Sequence, residues 1–129
     1  MQHLIAWYIH WHVTNDEEVV CGIFWTHPDA IKLLNAFNIV FFMNSTYKTN
    51  KYRLPLFEIV GVTCIRLTFS GAFAYMEAER EKNFVQTLER FRGPFRRYDE
   101  FPKVIVTDKD LTLMNAIKIM FPNSHNLLC

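Results

Sequence analysis

A short apolar run that leads directly into a helical pattern constrains the fold more than any other feature of this sequence. Residues 103–106 form the apolar run, and the helical pattern extends from about residue 109 to residue 121, where Pro122 ends it. Residues 126–129 begin a further strand pattern. A helix that connects two strands of one sheet normally makes them parallel. This part of the chain is therefore predicted to contribute parallel strands.

The preceding part of the chain has the pattern of three consecutive strands between two helices. Residues 39–43 are a continuous apolar run, which is typical of a strand that is buried on both faces. Residues 56–64 and 67–76 give two further strands, and the second of them alternates clearly between large apolar and small side chains. The helical patterns cover residues 26–37 and 79–92. Three consecutive strands favour an antiparallel meander, so we predict an α/β fold with a mixed five-stranded sheet whose last strand is incomplete.

Length and composition are consistent with one domain. The chain has 129 residues, of which 50% are hydrophobic and 16% aromatic, which supplies a sizeable core and excludes a disordered chain. Residues 26–129 are assigned to this domain. Residues 1–25 form an N-terminal segment without a clear pattern, in which residues 19–25 are a candidate strand. The net charge of +1 neither favours nor excludes a nucleic-acid partner.

Cysteine usage and hydropathy favour an intracellular protein. The three cysteines, at positions 21, 64 and 129, are too few and too scattered for a disulfide framework, and an odd number fits a reducing compartment. Residues 4–13 are apolar but are interrupted by His10 and His12, with no Lys or Arg before them. Because the spacing of these histidines does not suit two ligands on one helix face, we do not assign them to a metal site. We expect a soluble protein without a signal peptide or a transmembrane segment.

Asp108 is the acidic residue whose position most suggests chemistry. It follows an apolar strand pattern, and ligands of α/β sheets bind at the carboxyl ends of strands. A carboxylate held there is well placed to bind Mg²⁺, which selects hard oxygen ligands. Asp108 also lies just before a helix, where Asp is a preferred N-cap, and Thr107 with Asp110 fits a capping box. The sequence therefore allows two roles for Asp108, namely metal binding and helix capping.

Asn44 takes the corresponding position after the first predicted strand. If that strand lies parallel to and beside the strand that ends at Asp108, the two residues are neighbours, with Cα atoms within about 10 Å of each other. A nuclease that uses two metal ions needs carboxylates at such a point. Asn44 instead offers a neutral carbonyl oxygen and an amide donor, which suits a weak metal ligand or a residue of a strand-end turn.

Other charged residues are weaker candidates. Glu77 and Glu79 lie near the end of the third strand and could serve as acidic ligands, although acidic residues there usually begin a helix or face solvent. A basic stretch could contact phosphate groups, but acidic residues lie close to it, and a solvated surface is the simpler interpretation. The basic residues are Arg90, Arg92, Arg96, Arg97 and Lys103, and the acidic ones are Glu89, Asp99 and Glu100.

The segment at residues 44–56 has the sequence NSTYKTNKYRLPL. It resembles the signature D-x-T-Y-K-T-N-K-Y-x-x-P-L of MULE (Mutator-like element) transposases and is especially similar to their plant far-red-impaired-response relatives. The motifs IVGVT at residues 59–63, LTF at 67–69 and FAY at 73–75 continue this resemblance in the same order, and PKVIVTDKD at 102–110 resembles the second acidic motif of the family. The resemblance covers about residues 25–129, and so many ordered motifs argue against coincidence.

This resemblance implies a ribonuclease-H-like catalytic core with a D-D-E triad, which uses Mg²⁺ or Mn²⁺ to cleave and transfer DNA strands at transposon ends. The second acidic residue falls on Asp108, which is therefore the expected metal ligand, whereas the first falls on Asn44 and is not acidic. The third, a glutamate, lies beyond a Cys-x-Trp-His motif that begins at Cys129 and so falls outside this chain. The usual glycine of the second hairpin is Arg66 here, and a usual tryptophan of the following helix is Gln86.

The resemblance therefore predicts a truncated and catalytically inactive fragment of a nuclear, MULE-type DNA transposase. The alternative is a transposase-derived transcriptional regulator, which needs no intact triad. A third interpretation is an enzyme in which another acid has repaired the metal site. Truncation is expected to leave apolar side chains uncovered, so that the isolated domain is poorly soluble and self-associates. No histidine follows Cys129, so a zinc site is not predicted.

Overall fold

The computed structural model describes residues 9–14, 20–46, 55–76, 78–93, 102–108 and 110–128, and for residues 9–14 and 20–22 only the backbone. These residues form one sheet of seven strands together with three helices. The strands are β1 (Ile9–Thr14), β2 (Val20–Thr26), β3 (Val40–Thr46), β4 (Leu56–Val62), β5 (Thr68–Met76), β6 (Val104–Thr107) and β7 (His125–Leu128). The helices are α1 (Pro28–Ala36), α2 (Glu81–Arg92) and α3 (Leu111–Met120).

The sheet is mixed, and its strand order is β1-β2-β5-β4-β3-β6-β7. Strands β3, β4 and β5 form an antiparallel meander, β6 pairs in parallel with β3, and β7 pairs in parallel with β6. The α/β fold, the meander and the parallel strands that the sequence predicts are thus confirmed. In the described part of the chain the sheet has seven strands rather than the predicted five, because β2 and β1 continue it beyond β5.

Strand β2 confirms, within one residue, the candidate strand predicted at residues 19–25 of the N-terminal segment. It pairs with β5 in antiparallel register from Gly22 to Trp25. Phe24 and Thr26 are buried whereas Ile23 is exposed, so this short segment does alternate as a half-buried strand. The predicted boundary between residues 25 and 26 therefore falls inside β2.

The three helices pack on one face of the sheet, which we call the covered face. A single buried cluster joins the side chains that β2 to β6 direct to this face with those of the helices. Edge-to-face ring pairs connect Phe41 with Phe91 and Phe57 with Phe84, with centroids 5.7 and 5.6 Å apart. Full burial of one such side chain contributes about 1.5–3 kcal/mol, so this face supplies most of the stability of the fold. None of the described helices is long and apolar enough to cross a membrane.

The opposite face, which we call the open face, carries no helix in the residues that the structure describes. Because side chains alternate along a strand, each strand that supplies the core also directs every second residue to this face. Large apolar side chains remain partly accessible there, with exposed fractions of 39% for Ile23, 39% for Phe42 and 53% for Leu127.

Candidate functional site

Asn44 and Asp108 lie side by side on neighbouring parallel strands. Strands β3 and β6 are paired with Met43 opposite Thr107, so the residue that follows in each strand takes the same level of the sheet. Neighbouring strands are about 4.8 Å apart, which agrees with the predicted proximity. Met43 and Thr107 are buried whereas Asn44 and Asp108 are exposed. Both side chains therefore project from the open face, Asp108 directly after β6 and Asn44 two residues before the carboxyl end of β3.

Asp108 does not cap α3. The N-cap is Asp110, whose Oδ1 accepts hydrogen bonds from two backbone N–H groups of the first turn, at 3.0 and 3.2 Å. Thr107 Oγ1 donates a hydrogen bond to Asn126 Oδ1 at 3.1 Å, and the first-turn N–H groups donate to Asp110 rather than to Thr107, so the predicted capping box is wrong. The structural role that competed with metal binding at Asp108 belongs to Asp110, and the Asp108 carboxylate stays exposed.

Asn44 is not a turn residue, because β3 continues to Thr46. It is paired across the antiparallel ladder with Glu58 of β4. Directly opposed residues have Cβ atoms about 4.5–5.5 Å apart and point to the same face of the sheet. Asn44 therefore has an acidic residue on each side, Glu58 on β4 and Asp108 on β6.

Glu58 is the residue of this site that the sequence analysis missed. The long connection between β3 and β4 does not reveal which residues face each other, and register decides the face of every side chain. One signal did point to it, because Glu58 is the single charge in the otherwise apolar strand LFEIVGV. A carboxylate in such a strand has to face away from the core. Ser70 Oγ of β5 donates a long hydrogen bond, 3.4 Å, to Glu58 Oε2.

A shallow, open cavity of about 340 Å³ extends over Asn44, Glu58 and Asp108. Its other lining residues are Phe42, Met43, Val60, Thr68, Val106 and Thr107. Glu58 and Asp108 are the charged side chains of this lining, and neither forms a salt bridge with another described residue. Within the described lining, charge therefore comes from these two carboxylates alone.

Glu79 does not join this group. Ser45 Oγ donates a hydrogen bond to Glu79 Oε1 at 3.0 Å. Ser45 follows Asn44 in β3 and points to the opposite face, so Glu79 lies on the covered side of the sheet. The side chain of Glu77 lies outside the described residues.

Arg90, Arg92 and Lys103, the described residues of the basic stretch, do not line the cavity. Arg90 and Arg92 lie in the last turn of α2, which packs on the covered face. Lys103 precedes β6 and so lies at the opposite end of that strand from Asp108. Outside the described residues lie Arg96, Arg97, Cys129 and the side chains of His10 and His12.

The donor atoms at this edge of the sheet fit one hard divalent cation. Glu58 and Asp108 offer carboxylate oxygens and Asn44 an amide oxygen, and Mg²⁺ prefers a few such ligands together with water. Among the described residues, no group of three or more His, Cys, Asp or Glu side chains could hold a metal ion. The described side chains therefore do not form the double site that two-metal phosphoryl transfer uses.

Comparison with known proteins gives this site a family context. The MULE transposase domain matches residues 40–129, which include Asn44, Glu58 and Asp108. Protein FAR1-RELATED SEQUENCE 5 from Arabidopsis thaliana is 27% identical over 115 residues, which make up 89% of this chain and 14% of that protein. Protein FAR-RED IMPAIRED RESPONSE 1 from the same plant is 26% identical over 112 residues, which make up 87% of this chain and 13% of that protein.

A similar match comes from a fungus. The PKS-NRPS hybrid synthetase cheA from Chaetomium globosum is 26% identical over 116 residues, which make up 88% of this chain and 2% of that protein. The chain therefore spans 14% or less of the length of these three relatives.

Proposed function

The chain belongs to the MULE transposase domain family, and we propose that it is a transposase-derived domain of ribonuclease-H type whose open face contacts DNA through a divalent cation. The observation that carries this proposal is the neighbouring position of Asn44 and Asp108 near the carboxyl ends of β3 and β6. The strand order supports the fold assignment, because parallel strands β6 and β7 extend the antiparallel meander on the side of β3, its first strand.

Asp108 is the residue that would hold Mg²⁺ or Mn²⁺. Its carboxylate is exposed at the end of a rigid strand, and Asp110 serves as the helix cap in its place. When bound, such an ion neutralises charge on phosphate oxygens and activates water. Asn44 beside it can orient a phosphate or a water molecule through its amide group, but it adds no charge.

We propose that DNA strand cleavage is lost in this chain. Two-metal phosphoryl transfer stabilises the attacking and the leaving oxygen with ions roughly 4 Å apart, which requires acidic ligands around both. Asn44 stands at the position of the first acidic residue of the family pattern, and the three described donors converge on a single ion. Binding of DNA through one cation, without cleavage, is the activity that these donors suit.

Metal affinity and nicking of a supercoiled plasmid, measured in parallel, test this proposal. We expect the chain to bind Mn²⁺ and to leave the plasmid intact. Asn44→Asp adds a carboxylate beside Asp108, so it should tighten Mn²⁺ binding while nicking stays at background, because the ligands still surround one ion. Metal-dependent nicking by the unmodified chain would overturn the inactive assignment, and absence of Mn²⁺ binding would overturn the proposed site.

A transcriptional regulator is the second candidate, and the similarity to plant proteins favours it. The name FAR-RED IMPAIRED RESPONSE 1 describes a response and not an enzymatic reaction. A regulator of this kind would be nuclear and would bind DNA without using the carboxylates. Gel-shift experiments with and without EDTA separate the two candidates, since DNA binding that survives both EDTA and Asp108→Asn favours the regulator.

A further inference from the structure

We infer that Glu58 supplies the carboxylate that Asn44 lacks, so that Glu58 and Asp108 hold one divalent cation from the two sides of Asn44. The inference rests on the proposed function, because it concerns the same cation. It adds a ligand from β4, a strand that carries no member of the D-D-E pattern.

Strand register places the three side chains in one row across the sheet. Asn44 is paired with Glu58 across β3 and β4. Met43 is paired with Thr107 across β3 and β6, so the residues that follow them, Asn44 and Asp108, lie side by side. A strand spacing of about 4.8 Å puts the Cα atoms of Glu58 and Asp108 about 10 Å apart, with Asn44 midway between them. Two carboxylate side chains that lean towards the middle strand can therefore reach an ion with metal–oxygen distances of about 2.1 Å.

Among the residues that the structure describes, no basic side chain forms a salt bridge with either carboxylate. The other side chains that β3, β4 and β6 direct to the open face are apolar, except for Thr46 at the end of β3. Glu58 is half-buried among them, and burial next to apolar groups strengthens the repulsion between like charges. A cation between Glu58 and Asp108 removes this repulsion and replaces lost hydration with direct oxygen contacts.

The contact between Glu58 and Ser70 is compatible with a cation. At 3.4 Å, the hydrogen bond from Ser70 Oγ to Glu58 Oε2 is long, so it orients the carboxylate on the open face without locking it. A carboxylate offers about four lone-pair positions on its two oxygens, so it can accept this hydrogen bond and bind a cation at the same time.

Titration of the whole chain with Mn²⁺, followed by the electron paramagnetic resonance of the free ion, tests the inference without any catalytic readout. The variants are Glu58→Gln, Asp108→Asn and, as a matched control, Glu89→Gln on the exposed side of α2. We expect the first two to weaken Mn²⁺ binding at least about tenfold, because affinity at oxygen sites follows the charge of the ligands. The control should stay within about twofold, because distant exposed charges are screened. Urea unfolding of each variant without metal verifies that it is folded.

The double variant Glu58→Gln/Asn44→Asp moves the carboxylate from β4 to β3. It should bind Mn²⁺ within about threefold of the unmodified chain, since the charge around the ion is restored. A double variant as weak as Glu58→Gln would overturn the inference, because the lost affinity would then not come from ligand charge. Unchanged affinity in Glu58→Gln, with loss in Asp108→Asn, would overturn it while leaving the proposed site at Asp108 intact. Absence of Mn²⁺ binding by the unmodified chain would overturn both.

Discussion

Alternate residues of the same strands build two faces of very different character. On the covered face, Phe41, Phe57 and Ile105 have an exposed fraction of 0%. On the open face, the next residue of β3 is Phe42 at 39%, and the next residue of β4 is the charged Glu58. One strand can therefore contribute to the core and to a functional surface at the same time, because its alternate side chains point to opposite faces of the sheet. We expect covered-face residues to set stability and open-face residues to set metal binding and solubility.

Removal of a ring from the covered face should have the largest effect. Phe84 is fully buried and packs edge to face on Phe57. Phe84→Ala should lower the free energy of unfolding by about 3–5 kcal/mol, because it leaves a cavity in the core. Phe42→Ala on the open face, where the ring is already 39% exposed, should cost less than about 2 kcal/mol. Urea denaturation measures both changes, and equal losses would break the distinction between the two faces.

Gly61 marks a place where a single methyl group is too large. A Cβ atom there would overlap the ring of Phe69 on the paired strand. Gly61→Ala should therefore destabilise the fold by about 1–3 kcal/mol through overpacking. In a Phe69→Ala background the same substitution should be nearly neutral. A double-mutant cycle measured by thermal unfolding provides the test, and strictly additive losses would contradict the steric explanation.

Substitution of Arg66 should change the stability of the fold without altering the side chains of either face. It lies in the hairpin between β4 and β5 and has a φ of 66°, in the left-handed region that favours glycine. Arg66→Gly should raise the free energy of unfolding by up to about 1 kcal/mol, because relief of the strained backbone exceeds the entropy cost of glycine. Arg66→Ala keeps a Cβ atom and should bring no gain. Thermal unfolding separates the two variants, and Mn²⁺ affinity should be unchanged in both.

Charges placed on the open face should change association and leave stability almost untouched. Ile23→Lys and Leu127→Lys replace partly exposed apolar side chains, so each should alter the free energy of unfolding by no more than about 0.5 kcal/mol. Both should reduce self-association in analytical ultracentrifugation. Leu111→Lys, at a site 70% exposed at the start of α3, is the control and should not reduce it. If the unmodified chain is a monodisperse monomer that unfolds cooperatively, the prediction that the open face drives self-association is contradicted.

The elements that the sequence predicts are those in which apolar periodicity agrees with local stop signals. Strand β5 forms within its predicted range, although its alternation shifts where Gly71 and Ala72 are both buried, and α2 ends at Gly93 as the pattern requires. Strand β2 is predicted to within one residue although its alternation is short, whereas its pairing with β5, which lies far along the chain, could not be predicted. Local patterns carry no information about such distant pairing.

The site was predictable only where topology alone decides the geometry. Parallel strands end at the same edge of a sheet, so Asn44 and Asp108 could be placed together from the sequence. The sequence does not show that Asp110 rather than Asp108 caps α3. Both are aspartates close to the start of the helix, and only the structure shows that the Asp110 carboxylate reaches the backbone N–H groups. Glu58 could not be assigned either, since its position beside Asn44 depends on the register of β3 and β4.

Asp108 and Asp110 provide the most direct test of the central claim, which is that Asp108 binds a cation on the open face whereas Asp110 only caps α3. Asp110→Ala should cost about 1 kcal/mol of unfolding free energy through loss of the cap and should keep Mn²⁺ affinity. Asp108→Ala should keep stability within about 0.5 kcal/mol and should lose Mn²⁺ binding. Mn²⁺ titration of the two variants under identical conditions is the decisive measurement. Loss of binding in Asp108→Ala alone is the predicted result, and Mn²⁺ affinity in Asp108→Ala equal to that of the unmodified chain would contradict the account.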